Sequence, residues 1–226
     1  MHILILGGTG RVGRLIIAQA LSRGHQVTAL VRSPSSLTPQ PNLNIIEGQS
    51  TSQSDISTAL SSSPTNPLSA VIIALASVRE TESPFSKSIS PPRLMTDTHK
   101  AVIAAMKSCS PPITRLITIS SFGVGDSKPF VFWPMRYLLS HFGIGAAFED
   151  HNALEPVVRE SGLEWTLVRS VMMGDGGKGE VKVFGERGEG IGWMPKIGRE
   201  AVAGFVIEEC LEGGKWVDGT PVIANA

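Results

Sequence analysis

The segment Ile3–Gly13, ILILGGTGRVG, constrains this chain more than any other stretch in it. Four apolar residues lead into glycines at 7, 10 and 13, spaced G-x-x-G-x-x-G, and Val12, Leu15, Ile16 and Gln19 follow at helical spacing. The pattern predicts a buried strand, a tight turn and a helix. In such a unit the glycines serve a sharp turn, a close approach of backbone to a pyrophosphate, and tight packing of the helix on the sheet. The helix amino end adds unpaired N–H groups and a partial positive charge. A dinucleotide site is therefore expected, with Gly7, Thr9, Gly10, Arg11, Val12 and Gly13 among its cofactor contacts.

The rest of the chain alternates short β-rich runs with helical patterns. Strands are predicted at Ile3–Leu6, Gln26–Val31, Leu43–Ile46, Ala70–Leu75, Leu116–Ile119 and Trp165–Val168. Helices are predicted to begin near Val12, Asp55, Leu94 and Asp150, with a late one over Arg199–Leu211. Such alternation implies an α/β, Rossmann-like fold: a predominantly parallel sheet with helices on both faces. At 226 residues, 42% hydrophobic and 18% charged, the chain suits one domain with a substantial core. Residues 1–120 would form mainly its cofactor side and 121–226 mainly its substrate side. Two Ser/Pro-rich loops, RSPSSLTPQPN after the second strand and SVRETESPFSKSISPPR after the fourth, follow the strand ends where open parallel sheets bind ligands.

Composition narrows the partners. Net charge is zero and no Lys/Arg block occurs, so nucleic acid is not expected as a partner. Cys109 and Cys210 lack C-x-x-C spacing, which argues for neither a disulfide framework nor a metal site, and fits a reducing cytoplasm. Glycines interrupt the apolar start too early for an export signal. Residues 129–148 approach the length of a membrane span but include Arg136, His141, Pro134 and two glycines, and read as an apolar substrate-side segment. A small-molecule substrate is the expected partner.

The second strand ends VTALVRS, with Arg32 and Ser33 where NAD-selective folds usually carry a carboxylate for the ribose hydroxyls. That arrangement predicts NADP as cofactor, with Arg32 and Arg11 on its 2′-phosphate. The alternative for each arginine is a solvated surface charge. Ala74, Leu75 and Ala76 at the end of the fourth strand, and Ser120 at the end of the fifth, are expected to flank the same cofactor.

GGTGRVG, TALVR, LITISSFGVGDS and VRESGLEWTLVRS together resemble the atypical short-chain dehydrogenase/reductases, particularly their NAD(P)H-binding group of NmrA-like and flavin-reductase-like (biliverdin reductase B type) proteins. The resemblance covers nearly the whole chain and is strongest in its first thirty residues. It implies a serine at the end of the fifth strand and, in typical members, a Tyr-x-x-x-Lys on the following helix. Ser120 and Ser121 match the serine. Counting back from ESGLEW, His151 stands at the lysine place and Ala147 at the tyrosine place, whereas Tyr137, the only tyrosine, lies outside that register with His141 four residues on. The resemblance thus makes Ser121 and His151 the catalytic candidates. His151 would bond ribose or an ordered water, or act as an acid near its unperturbed pKa of about 6.5. Gln49 replaces an aspartate common near the adenine, and Met172 stands at or beside a second pocket histidine, so the pocket is expected to be more apolar than in those relatives.

Seven of the thirteen aromatic residues lie between Phe122 and Phe148. Such clustering beyond a strand's carboxyl end suits a flat conjugated ligand. A helix packed on the core, or the contact face of a homodimer, would account for it equally. Phe122, Trp133, Tyr137, Met172 and Met173 are the expected substrate pocket. The sequence therefore reads as an NADPH-dependent oxidoreductase transferring a hydride to a quinone, flavin or enone. The alternatives are an NADP-binding sensor without turnover and a non-redox isomerase or cyclase on the same scaffold.

Overall fold

The computed structural model describes residues 1–63, 66–78, 80–81, 88–134, 136, 145–176 and 179–226. Its first strand, β1 (His2–Leu6), is buried at every position, and a strand with no wet face needs neighbours on both edges. On one side lie β2 (Gln26–Val31) and β3 (Leu43–Glu47); on the other, β4 (Ala70–Ile73), β5 (Arg115–Ser121) and β6 (Glu164–Ser170). All pair in parallel, with Ile3 opposite both Val27 and Ala70. β10 (Val222–Asn225) continues the sheet parallel to β6, and β8 (Val181–Val183) closes it antiparallel to β10. The order β3-β2-β1-β4-β5-β6-β10-β8 reverses direction between β1 and β4, opening a crevice beyond their carboxyl ends.

Side-chain alternation along the strands builds two cores. Ile3, Ile5, Ile117 and Ile119 pack with α1 (Arg11–Ser22) and α5 (Arg199–Phe205), which continues as a π-helix over Val206–Glu212. Leu4, Leu6, Val71 and Leu116 face α2 (Gln53–Leu60), α3 (Leu94–Ser108) and α4 (Gly145–Arg159). The expected single-domain, doubly covered parallel sheet is what forms.

Differences from the sequence reading fall at element ends. β4 stops at Ile73, before Leu75. α2 begins at Gln53 rather than Asp55, because the Ser52 side chain caps it by accepting from the Asp55 N–H. α4 begins at Gly145, five residues ahead of Asp150. β7 (Met172–Gly174), β8, β9 (Lys196–Gly198) and β10 were not foreseen; at three or four residues each they carry too little pattern to declare themselves. β7 and β9 pair as a separate two-stranded ribbon. No helix among the described residues is long and apolar enough to cross a membrane.

Among the described residues, one charged side chain has no exposed surface at all: Arg169, on β6. Its Nε and Nη2 donate to Glu155 Oε1 of α4 at 3.2 and 2.6 Å, and its Nη1 to Asp126 Oδ1 at 2.5 Å and to the Glu186 carbonyl at 2.8 Å. Gly125 makes room for this cluster: at φ +57° a Cβ there would come within 2.1 Å of Glu155 Oε2. Arg169→Met should cost about 3–5 kcal/mol in urea denaturation, because it strands the buried Glu155 carboxylate. Adding Glu155→Leu to that variant should recover most of the loss, and a double variant no more stable than the single one would show that the pair is not the source.

Candidate active site

The three glycines of the first loop differ in what excludes a side chain. Gly7 has φ +84°, and a Cβ there would lie 2.5 Å from the Ala74 carbonyl oxygen and 2.8 Å from the Leu75 nitrogen. At Gly13 it would lie 2.1 Å from the Gly7 oxygen. Both are required by the protein's own backbone. Gly10 has ordinary extended dihedrals, and its nearest neighbours would be the Gly7 oxygen at 3.3 Å and the Ala74 oxygen at 3.9 Å. The space above Gly10 is therefore a cradle that a larger side chain would fill. Gly10 N donates to the Gly7 oxygen at 3.0 Å, and Arg14 N to the Gly10 oxygen at 2.9 Å, starting α1. No side chain caps that helix and no acid lies in its first turn, so the N–H groups of Val12 and Gly13 are placed to meet an anion. The loop fits a dinucleotide diphosphate.

Arg32 and Ser33 follow β2 and are exposed. Arg32 makes no hydrogen bond or ion pair among the described residues, while Ser33 Oγ lies 3.0 Å from Ser35 Oγ. Arg11 lies at Asp175, Nη1 to Oδ2 3.8 Å, and Arg199 also bonds Asp175, so the glycine loop is tied to the segment following β7. Arg14 escaped the sequence reading. Its Nε donates to the Thr9 carbonyl at 3.0 Å and its Nη2 to the Ser36 carbonyl at 2.6 Å, bracing the glycine loop against the loop after β2. An arginine on a helix face carries no sign of such a link in sequence. Ala74 and Leu75 border Gly7 half-buried, and Ala76 is exposed beside them. Gln49 has its N–H held by Asp55 Oδ2 at 2.8 Å.

The two serines ending β5 separate. Leu116 packs with the α3/α4 core while Ile117 and Ile119 pack with the other, so alternation sends Ser120 to the side of Thr118 and α3. Ser120 Oγ is buried without a partner. Ser121 is half-buried, and its Oγ donates to the Phe122 carbonyl at 3.3 Å. His151 Nδ1, on α4, is likewise buried and unpartnered. The preceding residue fixes α4 against α3: Asp150 accepts from the N–H groups of Met95 (2.8 Å) and Thr96 (3.0 Å) and from Thr96 Oγ1 (2.6 Å). His99, on α3, donates from Nδ1 to the Met95 carbonyl at 2.6 Å, which leaves Nε2 to accept from Thr118 Oγ1 at 3.0 Å. Burial pushes both histidines down to about 4, and His151 further disfavours charge on His99. Neither carries charge at neutral pH, so His151 does not titrate near 6.5 as its unperturbed value suggests. Two orphaned polar atoms on this flank of β5 fit a ligand hydroxyl, since leaving each unpaired costs about 1–3 kcal/mol.

The described members of the expected substrate pocket sit at different depths. Phe122 is buried, Met173 is half-buried against the core, and Trp133 and Met172 are exposed. Tyr137 and His141 lie outside the described residues. A cavity of about 90 Å³ opens beside the end of β5, lined by Gly123, Lys128, Phe148 and Asn152 among others. A larger depression of about 650 Å³ lies between α1, α5 and β8, around Gln19, Val181 and Phe205, at the other end of α1 from the glycine loop.

Residues 7–212 match the family described as NAD(P)H-binding. The chain belongs to this family. A 3-beta-hydroxysteroid dehydrogenase of Mycolicibacterium neoaurum is 37% identical over 74 residues, a match covering 33% of this chain and 20% of that protein; the chain thus spans about a fifth of its relative. Reductase pytE of Aspergillus terreus is 23% identical over 94% of this chain and 92% of its own length. Among solved structures, a short-chain dehydrogenase/reductase from Veillonella parvula in complex with NADP superimposes with a TM-score of 0.76 at 17% identity, over 99% of this chain and 94% of that one. These matches agree with the NAD(P)H-binding group that the sequence resembles, and with its Rossmann fold.

Two outcomes follow from this geometry. Gly13→Ala should destabilise the fold by about 2 kcal/mol or more through collision with fixed backbone. Gly10→Val should stay within about 1 kcal/mol of wild type yet lose NADPH binding in calorimetry, and retained affinity would mean that the cradle is not the phosphate site. The histidines make stability depend on acid. A histidine whose folded pKa is depressed leaves the unfolded chain binding more protons between the two values, so its contribution is complete above about 6.5 and is lost as pH falls toward about 4. His99 alone should cost about 3 kcal/mol over that window. Urea titrations of His99→Gln should show a pH slope about one proton shallower than wild type.

Proposed function

We propose that the protein is an NADPH-dependent reductase of the atypical short-chain type, acting on a small flat conjugated acceptor of the quinone, flavin or enone class. The observation that carries the cofactor choice is Arg32, exposed and unpartnered among the described residues at the end of β2, where no carboxylate stands to hold ribose hydroxyls. Its fork of donors suits a 2′-phosphate. The amino end of α1 holds the diphosphate over Gly10, Ala74–Ala76 flank the chain crossing from β1 to β4, and Ser120 and His151 offer their unpartnered atoms to the nicotinamide ribose. When bound, the nicotinamide supplies the hydride.

The protein's share is positioning and exclusion of water. Ala147 stands where a tyrosine would donate a proton, and the depressed pKa of His151 keeps it from serving as an imidazolium acid at neutral pH. A hydride alone leaves the acceptor with one negative charge, and the balancing proton comes from water. Acceptors that stabilise that charge are favoured, which selects the conjugated classes named above. Support comes from the relatives: one is named a reductase, and a structural neighbour binds NADP.

Ala147 also favours a second reading, a sensor that binds NADP and turns nothing over. Calorimetry with both cofactors and NADPH oxidation against a panel of quinones and flavins decide between them. NADPH should bind more tightly than NADH by about 1–3 kcal/mol, and Arg32→Ala should remove most of the difference. Equal affinities would sink the NADP assignment. Binding without oxidation of NADPH by any acceptor would assign the sensor.

A further inference from the structure

Among the described residues, nine large apolar side chains are exposed, and five of them, Phe132, Trp133, Met172, Trp193 and Met194, come from three segments on the substrate side. Trp133 and Trp193 are 70% and 67% exposed, unusual for side chains with so much apolar area to bury. Phe132 joins the segments: its ring lies 6.3 Å from that of Trp133 and meets Trp193 edge-on at 6.2 Å. The loop leading to Trp193 is seated on the end of β5, because Gly188, at φ +87°, lies so close to Phe122 that a Cβ would come within 2.5 Å of its ring. The patch therefore continues outward from the carboxyl ends of β5 and β6, the half of the crevice opposite Arg32.

One cation, Lys196, stands at its edge. Lys196 stands opposite Met172 in the β7–β9 ladder, on the same outward face, and makes no hydrogen bond or ion pair among the described residues. Nearby acids are engaged elsewhere: Asp126 with Arg169, Glu189 with Arg187 and Asp175 with Arg199. An aromatic strip edged by a free ammonium complements an apolar body that ends in an anion.

We infer that Phe132, Trp133, Trp193, Met194 and Met172, with Lys196 at their edge, form an outer subsite for an acceptor whose apolar body runs out of the reduction site and ends in an acidic group. The inference rests on the reductase reading and adds the substrate's far end to it. Three rings linked at these spacings match a fused ring system or alkyl chain in breadth.

The test uses three probes on the NADP⁺-saturated protein, in which no hydride is available: naphthoquinone, naphthoquinone carrying a decyl chain that ends in a carboxylate, and the methyl ester of that acid. In calorimetry the acid should bind about 10-fold or more tighter than the parent quinone. Trp193→Ser with Met194→Ser should shrink that ratio to about two, and Lys196→Glu should erase the preference for acid over ester. Equal affinities of acid and parent, or ratios unmoved by these exposed substitutions, would overturn the subsite. So would a patch that instead binds vesicles of anionic lipid, or pairs two copies in sedimentation, with the same substitutions abolishing that association and the chain giving no advantage. Failure of the two readings is separable. Turnover of naphthoquinone without a chain advantage sinks the subsite alone, whereas a Trp193-dependent chain advantage with no NADPH oxidation sinks the reductase reading alone.

Discussion

The buried guanidinium of Arg169 is the contact on which the later half of this fold, from β5 onward, depends. A charge without solvent is tolerated only when its donors are satisfied, and here the partners come from α4, from the turn after β5 and from the loop after β8. Those segments also carry or flank His151, Phe122 and the Gly188 turn. Position in the site thus follows from an electrostatic requirement several residues away from it.

Around β1 and α1 the organising constraint is steric. Gly7 presses on the backbone of Ala74 and Leu75, and Gly13 on Gly7, so β1, α1 and the end of β4 are locked together before any ligand arrives. Gly10 is left as the open position in a rigid frame. Pre-formed N–H groups in such a frame need little reorganisation to receive a diphosphate. Ser120 and His151 complete the picture at the other end of the crevice, where buried polar atoms lack protein partners. Native structures seldom leave such atoms unpaired, and a ligand hydroxyl is the economical explanation.

The neutral state of His151 separates this site from one built on a charged acid. Burial beside His99 holds both rings near a pKa of 4, so the flank of β5 is polar but uncharged at neutral pH. On the proposed reductase reading, acceptors needing strong proton donation gain nothing from it. On the same reading, the exposed aromatic strip with Lys196 at its edge would hold the apolar far end of a conjugated acceptor.

The sequence by itself determined the six central parallel strands, the helices on both faces of them and the glycine loop. The apolar run Ile3–Leu6, the glycines at 7, 10 and 13 and the helical spacing of Val12, Leu15, Ile16 and Gln19 are local patterns, and a local pattern is legible without coordinates. Arg32 at the end of β2 was legible for the same reason, since one strand's length fixes where its last residue emerges. Tertiary structure alone decided the rest. Arg14 reaches Ser36, Arg11 reaches Asp175, Asp150 caps α3 and His151 loses its charge only because elements far apart in the chain come together. The three- and four-residue strands β7 to β10 form where tertiary packing brings their partners alongside, and so few residues cannot encode a period of their own. Hydrogen-bond partners and desolvation are properties of neighbours in space, and a linear pattern carries no record of them.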